Sequence, residues 1–144
     1  VITMRRKNTD DLNQELMSAP DIDSYIKNNQ TSFAERSVTE LLASFYQRQE
    51  LSKAELARRS CMSEVYLHQV FAGRRNPSRD KLLCLCIGME LSFDETQELL
   101  KEAAYAQLYP RIKREAVIIH GIVHHTPLEE INDRLFAEDE AALC

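Results

Sequence analysis

Residues 51–73 read Leu51-Ser52-Lys53-Ala54-Glu55-Leu56-Ala57-Arg58-Arg59-Ser60-Cys61-Met62-Ser63-Glu64-Val65-Tyr66-Leu67-His68-Gln69-Val70-Phe71-Ala72-Gly73. The stretch divides into two short helices, about Lys53–Ser60 and Glu64–Phe71, with three residues between them. Ser52 and Glu55 have capping-box spacing, which sets the first start. Gly73 lies just past the second helix, where a left-handed residue closes it. A connection this short makes the two helices cross steeply. A small residue is then needed where the backbones approach, and Ala57 supplies it. Leu67 supplies the apolar side chain that seats the second helix on the first.

Outward from this stretch, the chain continues in helical periods. Val38, Leu41, Leu42, Phe45 and Tyr46 fall at i, i+3, i+4, i+7 and i+8, an amphipathic stripe. Capping-box spacing recurs at Ser37 with Glu40, Ser92 with Glu95, and Thr126 with Glu129. These signals predict further helices over about Ser37–Gln49, Arg79–Met89, Phe93–Tyr105, Arg111–His124 and Leu128–Glu138. Pro77, Pro110 and Pro127 stand at or just before helix starts, where a missing N–H does no harm. The first thirty residues are polar, with two weaker helical stretches near Thr9–Met17 and Asp21–Asn28, separated at Pro20. With only 3 Gly and 4 Pro in 144 residues, an all-β chain lacks its turn residues. No window approaches 18 uninterrupted apolar residues and no charged-apolar-small leader opens the chain, so a membrane span and a signal peptide are not expected.

The formal net charge is −5, which taken alone argues against a nucleic-acid binder. Its distribution argues otherwise. Residues 47–81 carry eight basic and four acidic side chains, while residues 1–46 carry five and seven, and residues 82–144 five and twelve. A basic island lies between acidic flanks, either a solvated face or an electrostatic footprint. Of the four cysteines, Cys84 and Cys86 are too close in a helix to bridge comfortably. With Cys61 and Cys144 they form no disulfide framework and no CxxC zinc site. They read as small buried hydrophobes in a reducing, cytoplasmic compartment.

The paired short helices have the helix-turn-helix arrangement, whose second helix lies in a major groove. Here the sequence resembles the Cro/CI-like (Xre-type) helix-turn-helix family of bacterial and phage repressors. The matching residues are Leu51-Ser52, Glu55-Leu56-Ala57, Met62-Ser63, Leu67, Val70-Phe71, Gly73-Arg74-Arg75-Asn76-Pro77-Ser78 and Lys81-Leu82-Leu83. The likeness covers roughly residues 37–105. One departure is Cys61, where the family usually has Gly in the turn; a side chain at positive φ costs on the order of 1 kcal/mol there.

The resemblance implies that Glu64, Val65, His68 and Gln69 face the bases. Gln69 is able to bind adenine bidentately, Val65 to touch a thymine methyl, and Glu64 to accept from a cytosine amine. Ser63 caps the helix within reach of a phosphate, and Tyr66 sits either at the core edge or on the backbone. Arg74, Arg75, Asn76, Ser78, Arg79 and Lys81, with the helix start after Pro77, are expected to clamp phosphates. Arg79 has the alternative of pairing with Asp80 or Glu64. Arg58 and Arg59 either join the clamp or face solvent.

Other signals are weaker. His120 and His124, with His125 adjacent, have metal-ligand spacing. Ile118, Ile119, Ile122 and Val123 mark their helix as a packing element, so no metal is expected. The run Ala116–Val123 is more apolar than a surface helix needs, which suits the centre of a second small bundle or a dimer surface. No nucleophile-and-base set or glycine-rich phosphate loop is present, so neither catalysis nor a cofactor is expected.

The expected fold is all-α: a lambda-repressor-like five-helix helix-turn-helix core at residues 37–106, a helical arm at 1–36, and a helical pair at 107–144. The expected function is sequence-specific binding of double-stranded DNA by a homodimeric regulator, a repressor with its own operon among the expected targets. The rival is a protein-interaction module on the same scaffold, binding an operon partner such as a toxin or kinase. Glu64 and the acidic flanks favour the rival, and the basic island favours DNA.

Overall fold

The computed structural model describes residues 9–29 and 34–144, and the described residues form helices and no strands. In order these are α1 (Thr9–Ser18), α2 (Ile22–Asn28), α3 (Ala34–Gln47), α4 (Lys53–Arg59), α5 (Glu64–Phe71), α6 (Arg79–Gly88), α7 (Phe93–Glu102), α8 (Lys113–Val123) and α9 (Leu128–Ala137). The fold is all-α, as the periodicity predicts. None of the described helices is long and apolar enough to cross a membrane.

Helix starts follow short polar side chains. Ser52, Ser63, Ser78 and Ser92 each have extended backbone and accept a hydrogen bond from the amide three residues on. Each satisfies one of the donors a helix start leaves unpaired. Only Ser92 forms the complete box, with Glu95 reaching back to its amide at 3.0 Å. At Ser52 the expected partner Glu55 turns instead to Arg58 and Arg59.

Two expected boxes do not start helices. Helix α3 begins at Ala34, so Ser37 lies inside it; Ala34, Glu35 and Arg36 are all good helix formers. Helix α9 is capped by Pro127 with no side-chain bond. Thr126 closes the preceding helix, its amide donating to Gly121 O at 2.8 Å.

Helix ends follow one device. After α4, α5, α6, α7, α8 and α9 the chain takes one left-handed residue: Cys61, Gly73, Glu90, Ala104, His125 and Asp139, with φ between 51° and 74°. At each, the next amide reaches back five residues, as in Leu91 N to Cys86 O at 3.0 Å and Tyr105 N to Leu100 O at 2.9 Å. This is the Schellman closure. It ends α7 at Glu102, three residues before the expected Tyr105. Tyr105 leaves the helix, and its hydroxyl donates to Pro77 O at 2.7 Å.

Helix α6 is the centre of the molecule. Every residue from Leu82 to Gly88 is buried, the signature of a helix covered on all sides. It packs against α4, α7 and α9. Its approach to α4 is close: a Cβ on Gly88 would fall 2.2 Å from Ser60 Oγ and 3.2 Å from Leu56 Cδ1. Around it, α3 packs on α5 and α7, while α8 and α9 pair with each other and meet α7 and α6. The run Ala116–Val123 therefore forms one half of that pair. Ile118 and Ile122 are buried and Val123 is half exposed, so α6 and not α8 is the helix apolar all round. The buried side chains form one cluster from Val38 to Leu143.

The arm is α1 packed on α2. Asp21 caps α2 by accepting from Ser24 N at 2.6 Å, and Asn29 Nδ2 donates to Glu15 Oε1 at 2.8 Å. Leu16, Met17, Ile22 and Ile26 leave an apolar edge exposed.

Candidate nucleic-acid interface

Helix α5 is held by its inner face. Leu67 and Val70 are buried, against α4 and α3, which pack on this helix. The 3.6-residue period then turns Glu64, Val65, His68 and Ala72 outward, and all four are exposed. Val65 is 69% exposed, an isopropyl group placed in water at the crest of the helix. Glu64 and His68 lie one turn apart, Oε1 to Nε2 at 3.5 Å.

The expected base-facing residues thus share one surface, with Gln69 at its edge. Gln69 Oε1 accepts from Arg75 Nε at 3.1 Å, which orients the amide with its NH2 group away from the arginine. Arg75 and Lys81 lie over the ring of Tyr66, at 5.9 and 5.1 Å from its centroid. Burial pushes the Tyr66 phenol up, against the pull of Arg75, so the hydroxyl remains a neutral donor. Cations over an aromatic face are held in place with their N–H groups still available.

Gly73 gives the sharp exit from α5 that puts Arg74 and Arg75 beside the helix. At φ 74° it adopts the left-handed form without the Cβ penalty. Ser63 and Ser78 spend their hydroxyls as acceptors for Tyr66 N and Lys81 N. Asn76 is exposed on the connection to α6.

Arg79 stands apart from this group. Its guanidinium donates to Ala106 O at 2.9 Å and Gln107 O at 3.3 Å, and pairs with Glu115 Oε1 at 3.1 Å. It is turned inward and ties α6 to the start of the C-terminal pair. Neither Asp80 nor Glu64 is its partner, since Asp80 pairs with Arg114 at 3.1 Å. Arg58 and Arg59 are drawn to Glu55 on their own helix. Chiefly through its hydrogen bond to Arg58, the Glu55 carboxyl is lowered to about 2. Glu55 matches one of their two charges.

One cation was not singled out in the sequence. Lys53 Nζ lies 5.5 Å from the ring of Phe71 and 5.9 Å from that of Tyr46. With Val65, His68, Gln69 and Arg74 it lines a shallow cleft of about 590 Å³. Its place directly after the cap Ser52 was the available signal, because that position brings a helix start to the flank of α5. Among the described residues, Lys53, Arg74, Arg75 and Lys81 enter no ion pair.

A family model described as a helix-turn-helix domain matches residues 37–99, from α3 to within α7. No curated protein and no solved structure matches the chain. The matched residues include α4, α5 and residues 60–63 between them. Among the described residues no group of His, Cys, Asp and Glu is arranged to hold a metal ion.

Proposed function

We propose that the chain is a transcriptional regulator of the Cro/CI-like type that binds duplex DNA with α5 in the major groove. The observation that carries this reading is the outward face of α5, Glu64, Val65, His68 and Gln69, flanked by Lys53, Arg74, Arg75 and Lys81, which enter no ion pair among the described residues. Base-edge recognition needs a projecting helix face of mixed polar and apolar groups. Affinity needs cations free to displace counterions from phosphates. In this reading Gln69 binds a base with its amide, and Val65 contacts a thymine methyl. Arg74, Arg75, Lys53 and Lys81 hold the backbone, joined by Asn76, the Tyr66 hydroxyl and the capped helix starts at Ser63 and Ser78. Repression requires nothing beyond occupancy of the site, and a homodimer would read two half-sites about one helical turn apart.

The test is binding to the DNA upstream of the protein's own gene against scrambled duplex, at two salt concentrations. Specific binding that weakens steeply with salt is expected. Gln69→Ala should relax discrimination, and Arg74→Ala with Arg75→Ala should weaken binding to all duplexes and flatten the salt slope. If selection from random duplexes also yields no preferred sequence, the regulator reading is overturned. Glu64 and the acidic flanks would then make a protein partner the better reading.

A further inference from the structure

The fold brings together two cysteines that are far apart in sequence. Cys61 lies in the α4–α5 turn and Cys144 follows the last helix; both are exposed, and the neighbouring Cys144, with burial, pushes the Cys61 thiol up. The segment carrying Cys144 is fixed from several sides. Arg114 donates to Ala141 O at 2.8 Å and Ala142 O at 3.2 Å. The Asn132 amide takes Leu143 N on its oxygen at 2.8 Å and donates to Cys144 Sγ at 3.2 Å. The Leu143 side chain is buried. Both cysteines line one cleft of about 650 Å³ between the turn and α9, with Arg58, Arg59 and His125 also on its wall. A small polar oxidant has access to both sulfurs at once.

We propose that Cys61 and Cys144 form a peroxide-oxidised, thiol-reversible disulfide, a modification site that fastens the turn before α5 to the segment after α9. Cys144 is the attacking thiol: its Sγ accepts a hydrogen bond from Asn132 Nδ2 at 3.2 Å, whereas the Cys61 thiol is the one pushed up. It attacks one oxygen of hydrogen peroxide; the O–O bond breaks, the other oxygen leaves as hydroxide and takes up the thiol proton as water. Cys144 is then a sulfenic acid. The Cys61 sulfur attacks the sulfenic sulfur, the S–O bond breaks, and the departing hydroxide takes the Cys61 proton as a second water. The two thiols lose two electrons and the peroxide gains them. A small-molecule thiol reverses the bond by exchange. Cys84 is nearby but out of competition. Burial pushes its thiol up to about 12, and its Sγ donates to Leu143 O at 3.9 Å.

The experiment treats the reduced full-length chain with a small excess of hydrogen peroxide, then alkylates it and maps the peptides. The expected result is a monomer lighter by two hydrogens, with Cys61 linked to Cys144 and Cys84 still alkylated after unfolding. Dithiothreitol should restore the starting mass. Closing so long a loop should raise Tm by about 10 °C over the reduced chain. Cys61→Ser should stop at a Cys144 sulfenic acid that dimedone traps, and Cys144→Ser should leave Cys61 unoxidised. A link through Cys84, a cross-linked dimer, or a wild-type chain with all thiols intact after peroxide would each overturn the proposal. None of these readouts depends on DNA.

Discussion

Arg79 and Glu115, 36 residues apart, meet at 3.1 Å where α6 begins and the C-terminal pair starts. Glu115 is 9% exposed, and the same Oε1 also accepts from Tyr109 N at 2.8 Å. One carboxylate oxygen thus holds a guanidinium and a backbone amide together. Removing it leaves a mostly buried cation without its countercharge and an amide without that acceptor. Glu115→Ala should lower unfolding free energy by about 3 kcal/mol in urea titrations. Arg79→Ala should likewise lose more stability than DNA affinity, whereas Arg75→Ala should do the reverse. An Arg79→Ala chain of unchanged stability would return Arg79 to the phosphate clamp.

Ser60 is fully buried, and its Oγ has no hydrogen-bond partner among the described residues. Gly88 of α6 faces it too closely for a side chain. Ser60→Ala keeps the shape and removes the unsatisfied hydroxyl, so it should stabilise the protein by about 1 kcal/mol. Gly88→Ala should do the opposite, because its new methyl meets Ser60. The two midpoints in one denaturant series decide the matter.

Ala104 ends α7 with φ 60° and is exposed. A left-handed alanine is strained by on the order of 1 kcal/mol, and glycine is not. Ala104→Gly should therefore raise Tm by about 3 °C, although the same change inside a helix would lower it. A fall in Tm would show that the strain relieved is smaller than the chain entropy added.

Glu64 puts a carboxylate on the face proposed to meet DNA. No Lys or Arg pairs with it among the described residues, and His68 Nε2 lies 3.5 Å from its Oε1. Glu64→Gln should tighten binding to nonspecific duplex by about threefold at low salt, with the gain shrinking as salt rises. At a site where Glu64 accepts from a cytosine amine, the same change should weaken binding. Titrating both duplexes at two ionic strengths separates repulsion from recognition.

Much of the fold was legible because helix starts announce themselves. Ser52 and Ser92 stand where capping-box spacing puts a helix start, whereas Ser37 and Thr126 have the same spacing and start none, and the stripe through Val38, Leu42 and Phe45 does bury its face. Helix ends were harder to place. Five of the six closures use Cys61, Glu90, Ala104, His125 or Asp139 where glycine would be the readable sign, and only Gly73 gave one. The outward face of α5 follows from its period. The inward turn of Arg79 depends on Glu115, and the contact of Cys61 with Cys144 depends on how the last segment folds back. Neither relation leaves a local pattern, because both are made by packing between distant parts of the chain.

From Leu82 to Gly88 helix α6 has no face left for water, and two of the faces it covers belong to α4 and α9. The α4–α5 pair and the C-terminal pair are therefore walls of the same room. Taking away α8 and α9 would leave Cys84 and its neighbours lining an open side, so the helix-turn-helix region is not a part that can be lifted out and fused elsewhere unchanged. Whatever grips α9 pulls on the same axle that seats α4, and a change at one end of the molecule has a rigid path to the other.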